Sequence, residues 1–303
     1  MSVTPYRAYR FLDPKVLAGL GDLVLAARTV VDGFMYGVHP SRMRGPGMEF
    51  SQYRSYQPGD DPRRLDWKLY GRSDRYFVRE SETDTSLTIR LVLDASRSMA
   101  HEEDGLTKFD YARLLTAALA LLSERQGDAV GLVVLNDERL VTIPPQRGHQ
   151  HLHRVLHQLE RLEPLGHWPD WRAAEHAVAE GGGGGRGLTV ILTDFHQQAD
   201  EIFRVVRRIT TLRHETLVMH LMGRRERDLD WHGATAFEDL ETGAHIEVDA
   251  DSVRASYQEA QSSELGRIRH ELEDRGARFE TLTMDQPVDR ALRQFLINRE
   301  RWR

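Results

Sequence analysis

LTIRLVLDASRSM, residues 87–99, decides the reading of this chain. Its first eight residues form a short, mostly apolar run that ends in Asp94, as expected of a strand buried on both faces. Ser96 and Ser98 follow at once, so a carboxylate and two hydroxyls leave the carboxyl end of the strand together. In open α/β sheets that end is where the ligand crevice lies. A second such run, LTVILTDF at 188–195, also ends in an aspartate, Asp194. Two carboxylates and two hydroxyls converging on one sheet edge make an all-oxygen set suited to a hard cation such as Mg²⁺ or Mn²⁺. The same residues also admit a plainer role, with Asp94 and Asp194 capping the helices after their strands and the serines satisfying loop backbone. Phosphoryl transfer through Asp94 as nucleophile needs a second aspartate two residues on, where Ser96 stands.

Outward from these strands, apolar runs alternate with helical patterns, which predicts an α/β, Rossmann-like fold with a central, mostly parallel sheet flanked by helices. KFDYARLLTAALALLSERQ (108–126) reads as a helix with a broad apolar face. AVGLVVLND (129–137) and RLVTIPP (139–145) are too close in sequence for a crossover, so they pair antiparallel. Helices are expected at 149–162, 170–180, 200–212 and 253–275, strands at 216–222 and 277–283, and a short helix before the terminus. GGGGG (181–185) reads as a connector, and TAFEDLETGAHIEVDA (235–250) as a hairpin turning at Thr242-Gly243.

With 303 residues the chain has ample length for a sizeable core. A formal net charge of −6 argues against nucleic acid as the principal partner. The absence of cysteine excludes disulfides, thiolate nucleophiles and sulfur-ligated zinc, and fits a cytoplasmic protein. Val16, Leu17, Leu20, Leu23, Val24, Ala27, Val30, Val31 and Phe34 recur at helical spacing and predict one helix docked on the main body. Asp22, Arg28 and Asp32 interrupt that stretch, so no membrane span is expected there. Two domains are expected, an N-terminal helix and charged segment at 1–85 and the α/β domain at 86–303.

Asp94-x-Ser96-x-Ser98 with Asp194 resembles the metal-ion-dependent adhesion site of von Willebrand factor type A domains. The stretch EFSQYRSYQPGDDPRRLDWKLYGRSDRYFVRESETDTSL running into LDASRSM, followed by KFDYARLLTAALALLSERQGDAVGLVVL and ILTDF, is similar to the bacterial domain of unknown function 58 family. The resemblance implies a von Willebrand factor A-type fold, Mg²⁺ or Mn²⁺ held by Asp94, Ser96, Ser98 and Asp194, and a protein partner that completes the coordination with an acidic residue. It further implies a non-catalytic co-chaperone or adaptor working with a MoxR-type AAA+ ATPase. The alternatives are a metal-dependent hydrolase using the same oxygens, with His101 and Glu102 close by in sequence, and a metal-free scaffold. One departure stands out: Pro169 in HWPDWRAA falls where the adhesion site takes a threonine, leaving Asp170 as the candidate substitute.

Three further features call for a reading. His149, His153 and His157 share one helical stripe and are expected to form a solvated face in preference to a zinc site. Trp67, Trp168, Trp171 and Trp231 are read as core or interface anchors. DDPRRLDWKLYGRSDR (60–75) carries nine charged side chains among sixteen residues with nearly cancelling signs, suited either to an internal brace or to a docking surface.

Overall fold

The computed structural model of the chain describes residues 13–38, 52–56, 65, 67–73, 75–80, 87–138, 140–180, 187–195, 199–211, 214–240 and 242–300. The chain forms two compact units, one drawn from 1–35 and 86–303 and the other from 36–85. The N-terminal helical stretch therefore groups with the large unit, where the sequence reading had placed it in one segment with the charged stretch up to residue 85.

That stretch is two helices, not one. Asp13 caps α1 (Pro14–Ala18), accepting from the Lys15 amide, with Pro14 at the first helical position, where its missing N–H costs nothing. The chain then turns through Gly21 at φ +66°. Asp22 accepts from the Leu25 amide at 2.9 Å at the start of α2 (Leu23–Val38). Leu17, Ala27, Val30, Val31 and Phe34 are buried, whereas Val16 and Leu20 lie exposed because the break takes them off the common stripe.

In the small unit, β1 (Gln52–Ser55) and β2 (Phe77–Glu80) pair antiparallel, with α3 (Trp67–Ser73) between them in sequence. Tyr70 stacks on Tyr76 with centroids 4.5 Å apart, and Trp67 meets Tyr70 edge-on. Trp67 is 62% exposed, so of the two roles expected of it, core or interface anchor, the core role does not hold. Residues 57–64, 66 and 74 of the charged stretch and its surroundings lie outside the described residues, and with them the choice between brace and docking surface.

The large unit is built on β3 (Thr88–Asp94), followed by a 3₁₀ turn at Arg97–Ala100 and the two-residue strands β4 (Glu102–Glu103) and β5 (Leu106–Thr107). Next come α4 (Lys108–Arg125), β6 (Ala129–Leu135), β7 (Val141–Gln146), α5 (His149–Glu160), α6 (Trp171–Glu180), β8 (Gly187–Thr193), α7 (Ala199–Thr211) and β9 (His214–Met222). The chain ends with α8 (Arg224–Asp228), the hairpin β10 (Ala234–Glu238) and β11 (His245–Asp249), α9 (Ala250–Asp274), β12 (Ala277–Thr283) and α10 (Asp289–Glu300). Six strands form the central sheet in the order β12-β9-β8-β3-β6-β7, parallel throughout except for β7. Counted along the chain this is 3-2-1-4-5-6, the doubly wound order whose direction reverses between β3 and β8.

Alternating side chains serve two layers. Val92, Val133, Ile191, Val218 and Phe279 point toward α6, α7 and α9 and pack with Ala174, Ile202, Val206, Ile268 and Leu272. The opposite face receives α4, which also packs against α1, α5 and α10 and is therefore buried round most of its girth. Each fully buried aliphatic side chain contributes about 1.5–3 kcal/mol. No helix among the described residues is long and apolar enough to cross a membrane.

The β6–β7 pairing slips in register between Val130 and Leu132, at Gly131. A Cβ there would lie 2.8 Å from Pro145 Cγ and 3.0 Å from the Ile143 carbonyl oxygen. Gly131→Val is therefore expected to cost about 1–3 kcal/mol through overpacking. The readout is a lower urea midpoint at unchanged m-value, and an unmoved midpoint would contradict this account of the edge.

Candidate functional site

Asp94 ends β3 and Asp194 follows β8, so the strand reversal brings their carboxylates to one crevice. The register sets Thr193 beside His220 and His220 beside Thr281, making a polar row across the carboxyl end of the sheet. Strand β8 stops at Thr193 because Phe195 turns the backbone into the left-handed region at φ 54°.

Asp94 is fully buried. Its Oδ1 accepts from the Ser96 amide at 2.9 Å and from Ser96 Oγ at 2.6 Å, and its Oδ2 accepts from Thr193 Oγ1 at 2.6 Å. Ser96 Oγ lies 3.1 Å from Ser98 Oγ, and Ser98 Oγ donates to Asp194 Oδ1 at 3.1 Å. All four residues expected from the sequence thus meet, and Thr193 joins them. The backbone bond to Ser96 is the loop-satisfying role, and the hydroxyl contacts go beyond it.

The sequence reading missed Lys108 and Glu226. Lys108, the first residue of α4, directs Nζ to Asp194 Oδ2 at 3.1 Å and to Glu226 Oε2 at 2.9 Å while only 3% exposed. Burial pulls its pKa down, but the two carboxylates outweigh burial and hold it above the ordinary lysine value, so the side chain is a cation. A lysine directly after the N-cap Thr107 was the available signal, because the first turn of a helix disfavours positive charge unless an anion awaits it. Glu226 gave no such sign, since α8 is a single turn; its Oε2 also accepts from the Gly223 amide at 3.0 Å.

His220 is buried beside them, with Nε2 donating to the Asp194 carbonyl at 3.1 Å and Nδ1 without a hydrogen-bond partner. Burial, then Lys108, lowers its pKa to about 4, so the ring is neutral at neutral pH. Burial, then Asp194, raises the Asp94 carboxyl to about 7 against the pull of its hydroxyl and amide donors.

An octahedral Mg²⁺ with bonds of about 2.0–2.1 Å has neighbouring oxygens about 2.9 Å apart. The separations of 2.6, 3.1 and 3.1 Å along Asp94, Ser96, Ser98 and Asp194 bracket that spacing, which hydrogen-bonded oxygens share, so the donor set is compatible with such an ion. Among the described residues no three His, Asp or Glu side chains gather to hold a metal, so an ion here relies on two carboxylates and neutral hydroxyls.

Asp170 does not join the site. It is exposed and directly precedes α6, its Oδ1 accepting from the Arg172 amide at 2.8 Å. The Asp94–Ser98 loop is met instead by backbone, with Leu165 N–H donating to the Ala95 carbonyl and Arg97 N–H to the Gly166 carbonyl. His101 pairs with Glu103 at 3.3 Å. His149, His153 and His157 lie exposed along α5, as expected of a solvated face, whereas the neighbouring His151 is buried against the Val130 carbonyl. Trp168 is buried, Trp171 sits beneath Arg172 and Arg204, and Trp231 packs edge-on to Phe237.

The two buried shifts oppose each other. Asp94, raised from 3.8 to about 7, contributes stability that is complete below pH 4 and lost as pH rises through 7. His220, lowered from 6.5 to about 4, contributes stability that is complete above pH 6.5 and lost as pH falls through 4. Between pH 4 and 6.5 the slopes offset one another in metal-free protein. Asp94→Asn is expected to leave the His220 slope alone, so that stability climbs with pH by up to about 1.4 kcal/mol per unit. Denaturant melts in chelator across that window check this; parallel profiles for variant and parent would contradict it.

The family model described as "Protein of unknown function DUF58" matches residues 52–265. An uncharacterized protein of Mycobacterium tuberculosis is 30% identical over 292 residues, 95% of this chain and 91% of its own length. Among solved structures, BatB from Bacteroides thetaiotaomicron is similar over 70% of this chain and 98% of its own, at 13% identity and a TM-score of 0.48. The SpRpn10 VWA domain is similar over 69% and 95%, at 10% identity and a TM-score of 0.41. The strand order is the doubly wound one expected of the von Willebrand factor A-type fold that the Asp-x-Ser-x-Ser pattern implied. With its family model spanning most of the sequence and a relative aligned almost end to end, the chain belongs to the DUF58 family.

Proposed function

We propose that this chain is a non-catalytic protein-interaction module whose binding face lies at the carboxyl ends of β3 and β8. Asp94, Ser96, Ser98 and Asp194 would hold Mg²⁺ or Mn²⁺, and the ion would supply an electropositive anchor for an acidic side chain of the partner. The family resemblance points to a MoxR-type AAA+ ATPase or its client as that partner, and to an adaptor or co-chaperone role in the cytoplasm. The observation that carries the reading is the closed oxygen cluster at the strand reversal, where both carboxylates are engaged by hydroxyls and neither is set up as a nucleophile. The hydrolase reading asks for a general base, and His220, buried and with its pKa lowered to about 4, is a weak one. A specific observation favours the metal-free scaffold: Lys108 already supplies positive charge to Asp194.

The test combines calorimetric titration of Mg²⁺ and Mn²⁺ with surface plasmon resonance against the purified ATPase. Asp94→Ala is expected to weaken metal binding by more than the roughly 10–100-fold typical of outer-shell changes, and to abolish partner binding as chelator does. Because Asp94 must ionise to bind metal, affinity in the parent should fall about tenfold per pH unit below 7. Partner binding indifferent to chelator and to Asp94→Ala would overturn the reading. Turnover of phosphoester or peptide substrates that vanishes in Asp94→Ala would establish the hydrolase instead.

A further inference from the structure

Lys108 is a buried cation placed against one of the carboxylates that would hold the metal, at the oxygen Ser98 does not contact. Its ammonium lies 3.1 Å from Asp194 Oδ2 and 2.9 Å from Glu226 Oε2, with its side chain 4% exposed and that of Asp194 fully buried. A buried carboxylate pair without a counter-charge is strongly disfavoured, so a cluster that depended on a divalent ion alone would be under strain whenever the ion left. Here the counter-charge is covalently part of the chain. Glu226 completes the arrangement from the far side and is itself fixed: its carboxylate accepts from the Gly223 amide, its own amide donates to Glu103 Oε1 at 3.1 Å, and its carbonyl accepts from Tyr257 Oη at 2.9 Å. The lysine is therefore held in place by α8 and α9, and swinging away would cost it two carboxylate contacts.

We propose that Lys108 is the resident counter-ion of this site. It keeps the Asp94–Ser96–Ser98–Asp194 cluster assembled without metal, and its charge, opposed to that of any incoming divalent ion, sets the metal affinity low. Glu226 acts in the other direction, screening the lysine's charge from the ion. The inference rests on the proposed metal site but makes a separate claim, that one lysine and one glutamate tune the site with opposite signs.

The experiment titrates Mn²⁺ into the parent, Lys108→Met and Glu226→Gln by calorimetry and follows each by thermal melt with and without Mn²⁺. Lys108→Met keeps the length of the side chain and removes its charge. It is expected to lower the melting temperature in chelator, to bind Mn²⁺ at least tenfold more tightly than the parent, and to regain stability when Mn²⁺ is added. Glu226→Gln, the milder change, is expected to bind Mn²⁺ more weakly than the parent. A purely structural lysine would lower stability with no gain in affinity, and that result, or two variants shifting affinity in the same direction, would overturn the proposal. Should Lys108→Met fail to fold even with Mn²⁺, the proposal is overturned as well if Glu226→Gln binds as the parent does, and upheld if it binds more weakly. Metal binding by Lys108→Met but not by the parent would support the counter-ion and sink only the native metal site; binding by neither would overturn both.

Discussion

A buried ammonium between two carboxylates ties together the top of this sheet. Lys108 joins the start of α4, the end of β8 and the single turn of α8, three elements that meet nowhere else through charge of comparable burial among the described residues. Removing one partner from such a pair costs about 3–5 kcal/mol, because the remaining charge stays out of water. That penalty is a large fraction of the stability of an ordinary domain. It makes the polar crevice as strongly specified as the aliphatic layers beneath it, and it fixes Asp194 where Ser98 can donate to it.

Much of this was legible in the sequence, for reasons particular to each element. β3 and β8 announced themselves because strands covered on both faces need near-continuous apolar runs, with Asp94 closing the first and Asp194 following the second at a carboxyl edge that is still buried. The antiparallel pairing of β6 and β7 followed from chain length alone. The N-terminal helix was read as continuous because apolar spacing survives across Gly19, Leu20 and Gly21, whereas the positive φ of Gly21 and the hydrogen bond of Asp22 are backbone features that hydrophobic periodicity does not register. Helix α8 escaped for a related reason: one turn offers no period to find, and its amino end is satisfied by Glu103, over a hundred residues earlier in the sequence.

The site shows the same division. Asp94, Ser96 and Ser98 lie close together in sequence, and Asp194 directly follows the carboxyl end of the neighbouring strand, so pattern alone brought them together. Thr193, Lys108, Glu226 and His220 belong to the cluster through register and long-range packing. Phe195 adds a constraint of its own. A non-glycine residue at φ 54° is disfavoured by about 1–2 kcal/mol, offset here by a ring that meets His220 and Phe279 edge-on at 5.8 and 5.7 Å. The aromatic contacts bury the His220 side of the crevice, and such burial strengthens the charge interactions within it.

The central claim is that the oxygen cluster at the strand reversal is a cation site. Anomalous diffraction from crystals equilibrated with Mn²⁺ tests it most directly. The account predicts one manganese peak bounded by Asp94, Ser96, Ser98 and Asp194, which disappears in Asp94→Ala crystals. A cluster that stays without a peak at millimolar Mn²⁺, or manganese bound only elsewhere on the chain, would contradict it.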